Sequence, residues 1–196
     1  IVFNGEIYNH MEVRRDLLDK GHVFRNNSDT ECLVHAYEEY REGMLSRLRG
    51  MFGFAIWDER EEQLFMARDF FGIKPVYYSV INGCLVFGSE IKSILEFPGY
   101  KKEVNLQALD QYLSYQYSVL PETFFKGIYK LLPGHYLKYK NGEIETYRYW
   151  NAVLHPEKKQ KATEIEAELK SSLENSIEAH KISDVEVGSL LSSGVD

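Results

Sequence analysis

Paired apolar runs separated by polar turns indicate that the first 150 residues of the chain are rich in β-strands. Three such pairs predict β-hairpins: 51–57 with 63–67 across an acidic turn, 76–81 with 84–87 across Asn82-Gly83, and 136–139 with 144–149 across Asn141-Gly142. Residues 1–3 and 22–24 predict further short strands. The dipeptide Asn4-Gly5 predicts a turn after the first of them.

Apolar residues at helical spacing account for much of the remaining sequence up to residue 150. They predict four helices: 11–20, Ser28 or Asp29 to about Tyr40, 89–96, and 106–115. Cys32 falls on the apolar face of the second helix. This position favours a small core residue over a nucleophile.

The last part of the chain has a different pattern. Residues 151–161 are polar and predict a linker. Thr163 and Glu166 have the spacing of a capping box, which opens a helix with an apolar side chain every four residues: Ile165, Leu169, Leu173 and Ile177. Residues 185–191 predict an apolar strand, and 192–196 predict a loop beyond its carboxyl end. A helix followed by a strand is typical of an α/β domain.

The composition limits the classes to which this sequence can belong. The chain is 44% hydrophobic and has a net charge of -7, which excludes general disorder and argues against a nucleic-acid partner. No apolar run approaches about 18 residues, so we expect no membrane association through a spanning helix. Neither the two cysteines nor the six histidines have metal-ligand spacing, so the sequence assigns no metal site.

Two polar segments near the start of the chain could carry chemistry. The carboxamide of Asn4 beside the backbone N–H of Gly5 can stabilise a developing oxyanion, but an ordinary Asn-Gly turn contains the same residues. Asp29, within the run Ser28-Asp29-Thr30-Glu31, can bind a substrate ammonium group or simply cap the helix that follows.

A third candidate lies at the other end of the chain. The small residues of the loop 192–196 follow a predicted buried strand. Backbone N–H groups and hydroxyls in such a loop can bind a phosphate, and ligands of open α/β sheets lie at the carboxyl ends of strands. The alternative is a plain surface loop.

Taken together and in order, many short segments resemble the glutamine-hydrolysing asparagine synthetases, which carry a class II amidotransferase domain. The matching runs cover the whole chain and are 3–9 (FNGEIYN), 28–31 (SDTE), 48–58 (LRGMFGFAIWD), 67–69 (ARD), 72–78 (GIKPVYY), 89–92 (SEIK), 133–135 (PGH), 149–150 (YW), 183–185 (SDV) and 192–196 (SSGVD). Each run alone is weak, but the set in register is specific.

The resemblance implies a fold and a domain plan. We expect an α+β protein, in which residues 1–150 form an αββα N-terminal-nucleophile sandwich with two antiparallel sheets. Residues 151–161 would be a linker, and 162–196 the start of an α/β nucleotide-binding synthetase domain. We also expect the sequence to be an internal piece of a longer protein, because it starts and stops within motifs of the family.

The resemblance also implies a reaction, in which ammonia released from glutamine converts aspartate to asparagine at the expense of ATP with Mg²⁺. Asn4 and Gly5 would form the oxyanion hole, and Glu6 and Asp29 would help hold the glutamine. The ATP pyrophosphate would be bound by four residues: Ser192, Ser193, Gly194 and Asp196. The parent enzyme would be cytoplasmic and homodimeric.

Two departures from the family pattern affect this interpretation. The family's nucleophilic cysteine does not stand at position 1, so we expect the isolated chain 1–196 to be inactive as a glutaminase. Ser193 stands where the family's phosphate loop usually has glycine.

Two alternative functions remain open. One is a related amidotransferase with a different carboxylate acceptor, such as a β-lactam synthetase-like enzyme. The other is a non-catalytic relative that has lost the cysteine.

Overall fold

Eight strands form two antiparallel sheets within the part of the chain that the structure describes. The computed structural model describes residues 1–119, 121–154, 161–183 and 185–190. The strands are β1 Val2–Ile7, β2 Gly50–Asp58, β3 Gln63–Arg68, β4 Tyr77–Ile81, β5 Cys84–Gly88, β6 Tyr129–Lys130, β7 His135–Lys140 and β8 Glu143–Arg148. The larger sheet has the order β1-β2-β3-β7-β8 and the smaller one the order β5-β4-β6.

Helices connect and flank the strands. They are α1 His10–Asp19, α2 Asp29–Tyr40, α3 Ile91–Leu95, α4 Leu106–Tyr115 and α5 Ala162–His180, and a 3₁₀ helix, Arg41–Arg47, follows α2. Ser28 is the N-cap of α2, because its side chain accepts a hydrogen bond from the backbone N–H of Glu31. Of the two residues expected to start this helix, Ser28 therefore caps it and Asp29 lies in its first turn.

Three apolar clusters define four layers. The first lies between the larger sheet and α1, α2 and the 3₁₀ helix, and includes Leu17, Leu33 and Phe52. The second lies between the two sheets, and the third between the smaller sheet and α3. Phe54 belongs to the first cluster and Ala55 to the second, since successive residues of a strand point to opposite faces. The predicted αββα sandwich with two antiparallel sheets is confirmed.

The three predicted hairpins are confirmed, and local turn chemistry explains two of them. Asn82 and Asn141 have φ angles of 51° and 54°, and each is followed by a glycine with φ above 80°. Two successive positive φ angles are what a type I′ turn needs, and Asn-Gly adopts them at low cost. The first hairpin joins β2 to β3 through its acidic turn.

Two local predictions near the start of the chain are wrong. Asn4-Gly5 does not form a turn, because β1 continues through both residues to Ile7 and pairs with β2 along its whole length. Residues 22–24 do not form a strand but belong to the connection between α1 and α2. Pairing with β2 keeps Asn4-Gly5 extended, and residues 22–24 have no strand beside them to pair with among the described residues.

The loop after β3 is organised by the buried carboxylate of Asp69, which is 1% exposed. One oxygen accepts the backbone N–H groups of Phe71 and Ile73 at 3.1 and 2.9 Å, and the other accepts those of Phe52 and Lys74 at 3.2 and 2.9 Å. Four backbone donors that would otherwise be unsatisfied thus have one acceptor group. Asp69 therefore holds the loop against β2.

The neighbouring Arg68 binds the carbonyl groups of the same region. Its guanidinium donates hydrogen bonds of 2.7 Å to the carbonyl oxygens of Lys74, Leu131 and Gly72. Gly72 has φ 68°, and a Cβ there would lie 2.9 Å from the guanidinium carbon, so this turn requires glycine. Burial lowers the pKa of Arg68 from its usual value.

The chain divides into two compact units, Ile1–Ala152 and Val153–Asp196. In the second unit the predicted helix is present as α5, but its start differs from the prediction. Lys161 is the N-cap, and its backbone N–H donates to the carboxylate of Glu164 at 3.3 Å. The predicted box of Thr163 and Glu166 is therefore wrong, since Glu164 is the acid three residues after the cap.

The apolar row of α5 is solvent-exposed in the structure, with Ile165, Leu169, Leu173 and Ile177 between 49 and 59% accessible. The strand predicted over 185–191 is absent from its described part, 185–190. A strand needs a hydrogen-bonded neighbour, and no described residue pairs with this segment. Of the helices in the described ranges, none is long and apolar enough to cross a membrane.

Candidate functional site

Asn4 connects the two sheets at one end of the sandwich. It lies on β1 opposite Gly53 of β2, and its side-chain Nδ2 donates to the hydroxyl of Ser89 at 3.0 Å. Ser89 directly follows β5 of the smaller sheet. A cavity of about 360 Å³ lies beside this contact. The Asn4 carboxamide is thus held in one orientation at the mouth of a cavity between the sheets.

Gly5 directs its N–H away from β2. Its cross-strand partner is Phe52, whose backbone N–H and C=O both bond to Asp69 on the other side of β2. In an antiparallel ladder the two members of a pair either exchange both bonds or neither. The Gly5 N–H therefore points to the outer edge of the larger sheet, where β1 is the last strand.

The position of Gly5 also requires the absence of a side chain. A Cβ built on this residue would lie 2.2 Å from the carbonyl oxygen of Met51 and 2.8 Å from the Cα of Phe52. Both atoms are backbone atoms of β2 and cannot move without breaking the strand pairing. Glycine therefore permits the close approach of β1 and β2 at this point.

Asp29 lies at the same edge of β1. Its carboxylate accepts the backbone N–H of Ile7 at 3.1 Å, and Ile7 is two residues along the strand from Gly5. The N–H groups of residues 5 and 7 face the same side of a strand, about 7 Å apart. The carboxylate of Asp29, carried by the first turn of α2, thus stands beside the edge that the Gly5 N–H faces.

Glu6 points to the same face of β1 as Asn4, since the two are separated by one residue. It is partly buried. Burial, and secondly the charge of Glu6, raise the pKa of Tyr8.

The structure places all four residues predicted for the amidotransferase site around one strand: Asn4, Gly5, Glu6 and Asp29. Ser192, Ser193, Gly194 and Asp196 lie outside the described residues, so their predicted role in ATP binding stays a prediction.

Cys32 is a core residue, as predicted. It is 1% exposed, and burial raises the pKa of its thiol to about 11. Such a thiol carries very little of the thiolate that acts as a nucleophile. Cys84, which is exposed, lies at the start of β5 in the smaller sheet.

Ser89 is a candidate site residue that the sequence does not reveal. Its run, 89–92, contributes to the family resemblance, but nothing in the sequence indicates that its hydroxyl meets Asn4, because 85 positions separate the two residues. The contact exists only because the two sheets stack face to face. The sequence shows only that a polar residue directly follows a predicted strand.

The four-layer fold with two stacked antiparallel sheets is that of the N-terminal-nucleophile amidotransferases. It is similar to glutamine phosphoribosylpyrophosphate amidotransferase from Bacillus subtilis, with a TM-score of 0.54 and 19% identity over 78% of this chain and 29% of that one. A second solved structure, the allosteric regulatory enzyme of purine biosynthesis, has the same TM-score and identity, over 77% and 28% of the two chains. At this identity the likeness concerns the fold.

Sequence comparison then defines the family. Residues 1–150 match the family described as glutamine amidotransferase domain, and the chain belongs to it. Asparagine synthetase [glutamine-hydrolyzing] 1 of Bacillus subtilis strain 168 is 40% identical over all of this chain and 31% of its own length. Amidase chry2 of Gibberella zeae is 39% identical over all of this chain and 29% of its own length. The chain thus spans about a third of these relatives.

Proposed function

We propose that residues 1–150 form the glutamine-hydrolysing part of an asparagine synthetase. The observation that carries this proposal is the arrangement around β1: a carboxamide held by Ser89, a backbone N–H directed to the strand edge, and a carboxylate beside that edge. Hydrolysis of a carboxamide needs donors for the oxyanion, and binding of glutamine needs a counter-charge for its ammonium group. Family membership and the likeness to asparagine synthetases support the same conclusion.

Asn4 and Gly5 would stabilise the oxyanion that forms when the glutamine side-chain amide is attacked. A carboxamide NH₂ carries two N–H bonds. One bond to Ser89 orients the group, so that the second N–H can meet the oxyanion without a reorganisation of the site. By family resemblance the nucleophile would be an N-terminal cysteine outside the 196 residues.

Asp29 and Glu6 would hold the glutamine itself. The Asp29 carboxylate accepts the Ile7 N–H at the strand edge and the Thr30 hydroxyl at 3.4 Å, and it has acceptor capacity beyond these two bonds. An ammonium group next to it forms a charge-assisted hydrogen bond. Glu6 lies on the Asn4 face of the strand and adds a second negative charge near the bound amino acid.

The parent enzyme would use the ammonia to amidate aspartate. By resemblance, ATP and Mg²⁺ would activate the aspartate carboxylate in the second domain, and Ser192, Ser193, Gly194 and Asp196 would contact the pyrophosphate. The parent would be a cytoplasmic homodimer. A related enzyme with another carboxylate acceptor is the second candidate, because a relative named as an amidase is nearly as similar to this chain as the asparagine synthetases are.

The decisive experiment separates glutamine hydrolysis from synthesis in the full-length enzyme. Asn4→Ala should lower glutamine-dependent turnover by roughly 10²–10³-fold and leave synthesis from free ammonia unchanged. Asn151→Ala removes an exposed carboxamide elsewhere in the chain and should change neither activity. Equal loss of both activities in Asn4→Ala would reject the oxyanion role.

A second measurement identifies the acceptor. The full-length enzyme, supplied with ammonia and ATP, should consume ATP in the presence of aspartate and form asparagine. If aspartate is inert and another carboxylic acid supports amide formation, the second candidate replaces the first. The glutaminase proposal for residues 1–150 would be unaffected.

A further inference from the structure

Three side chains that can bind a metal ion meet between α1 and α2. His22 lies in the connection after α1, where its backbone N–H bonds to the carbonyl oxygen of Leu17 at 3.0 Å. His35 and Glu38 lie one turn apart on α2. The Nδ1 atoms of His22 and His35 are 3.2 Å apart, and Oε2 of Glu38 is 2.9 Å from Nδ1 of His35 and 3.7 Å from Nδ1 of His22.

These three distances match one face of a tetrahedral metal centre. Zinc binds histidine nitrogen and carboxylate oxygen at about 2.0–2.2 Å, so that neighbouring ligand atoms of a tetrahedral ion are about 3.3 Å apart. The sides of the observed triangle scatter about that value. A point equidistant from the three atoms lies about 2 Å from each of them, which is a metal–ligand distance.

The outer nitrogen of each imidazole faces a carboxylate. Nε2 of His22 is 3.3 Å from Glu39, and Nε2 of His35 is 3.9 Å from Glu31. These carboxylates are themselves held, since Lys20 contacts Glu39 at 3.2 Å and the backbone N–H groups of residues 25 and 26 donate to Glu31. A carboxylate on the outer nitrogen favours the tautomer that carries its proton there, a common arrangement of metal-binding histidines.

With both outer nitrogens protonated, three electron-pair donors converge on one point. Two imidazole Nδ1 atoms and a carboxylate oxygen repel one another at these distances unless a positive charge lies between them. A divalent ion supplies that charge and bonds to all three atoms at once. Mixed nitrogen and oxygen ligands favour a transition metal over Mg²⁺ or Ca²⁺, which prefer oxygen alone.

The cluster is closed on the protein side and open on the other. The side chains of His22 and His35 are 16 and 18% exposed, and the ring of Phe24 packs on His35 with its centroid 4.6 Å away. Glu38 is 57% exposed. A fourth coordination position would therefore face solvent and could take a water molecule.

We propose that His22, His35 and Glu38 bind one Zn²⁺ or similar divalent transition-metal ion, which fastens the connection after α1 to α2. Sequence spacing gives no sign of this site, because 13 positions separate the two histidines and only the second lies on a helix. The ion would stabilise the folded chain, because the three ligands lie together only in the folded state. The proposal is independent of the glutaminase proposal.

The experiment uses the full chain, treated with a chelator and returned to metal-free buffer. Calorimetric titration with Zn²⁺ should give one bound ion per chain, and the Tm should rise with Zn²⁺ concentration. Co²⁺ should give the visible absorption of a four-coordinate site. Mg²⁺ should produce neither the Tm rise nor the stoichiometric binding.

Two variants test the ligands against a matched control. Glu38→Gln keeps the size of an exposed side chain, so the fold is retained. It should weaken Zn²⁺ binding by at least about 10–100-fold, the loss typical of removing a hydrogen-bond partner of a metal ligand. His22→Gln should do the same and abolish the Co²⁺ absorption. His180→Gln, which removes a histidine of α5, should bind as the unaltered chain does. The proposal would be overturned if the unaltered chain does not bind Zn²⁺ stoichiometrically, or if Glu38→Gln and His22→Gln bind it as tightly as the unaltered chain.

Discussion

Asp29 and Asp69 are two aspartates that bind backbone N–H groups in two different regions of the same unit. Asp69, in the loop after β3, is 1% exposed and accepts four N–H groups. Asp29, at the edge of β1, is partly exposed and accepts one backbone N–H, that of Ile7. The hydrogen-bond capacity of Asp69 is used by the fold, whereas Asp29 has capacity left for the ligand that the proposed function assigns to it.

The two carboxylates differ in how many backbone groups each one contacts, and on the proposed function Asp69 is structural whereas Asp29 binds substrate. Both stand in runs that resemble the family, 67–69 and 28–31, and the residue type is the same. A carboxylate has about four acceptor positions, and the number taken by the chain's own backbone decides how much remains for a substrate. Burial agrees with this difference, since Asp69 is buried and Asp29 is partly exposed.

The isosteric substitution Asp69→Asn should have the largest effect on stability. An amide NH₂ in place of one carboxylate oxygen would face two backbone N–H donors, and the buried loop would lose a charged acceptor. We expect the free energy of unfolding to fall by about 3–5 kcal/mol, measured by denaturant unfolding of the chain. A fall below about 1 kcal/mol would mean that Asp69 does not organise the loop.

Gly5→Ala should have the next largest effect. The added methyl group would overlap the carbonyl oxygen of Met51, so that β1 must move away from β2, and we expect a loss of about 1–3 kcal/mol. Thermal unfolding measures it, with Gly127→Ala as a contrast, because a Cβ at Gly127 meets no atom within 4 Å. Gly127 has φ 75°, so Gly127→Ala shows the cost of an unfavourable backbone conformation without atomic overlap.

Asp29→Asn is the direct counterpart of Asp69→Asn. The asparagine oxygen can still accept the Ile7 N–H, so the free energy of unfolding should change by less than about 1 kcal/mol. On the proposed function, the KM of the full-length enzyme for glutamine should rise about tenfold, because a charge-assisted bond to the ammonium becomes a neutral one. An unchanged KM would leave Asp29 with a purely structural role.

Tyr149→Phe should have a small effect, and on stability alone, because it removes one hydrogen bond beside Asp69. The Tyr149 hydroxyl donates to the carbonyl oxygen of Arg68 at 2.7 Å, and burial, with a smaller contribution from the charge of Asp69, raises its pKa well above the usual value. Loss of this bond should cost about 1 kcal/mol and leave glutamine KM unchanged. A shifted KM would connect the two regions.

Local chemistry explains most of what could be predicted about the fold. The Asn-Gly hairpins, the Ser28 cap and the helices α2, α4 and α5 depend on residues within a few positions of one another, and they form as expected. The resemblance to a known family supplied the layer order and the site residues. Four predictions failed: the turn at Asn4-Gly5, the strand over 22–24, the capping box at the start of α5, and the strand over the described residues 185–190. Each was read from a few neighbouring residues, without the pairing partners that decide whether a strand, turn or cap forms.

The sequence alone therefore determined most of the elements, the apolar faces and the candidate site residues other than Ser89. The tertiary structure decided which groups meet. Asn4 reaches Ser89 because the sheets stack, Asp29 reaches Ile7 because α2 packs beside β1, and His22 reaches His35 because α1 and α2 lie together. Such contacts join residues far apart in sequence, and hydrophobic patterning specifies which faces are buried without specifying which polar groups the packing then brings together.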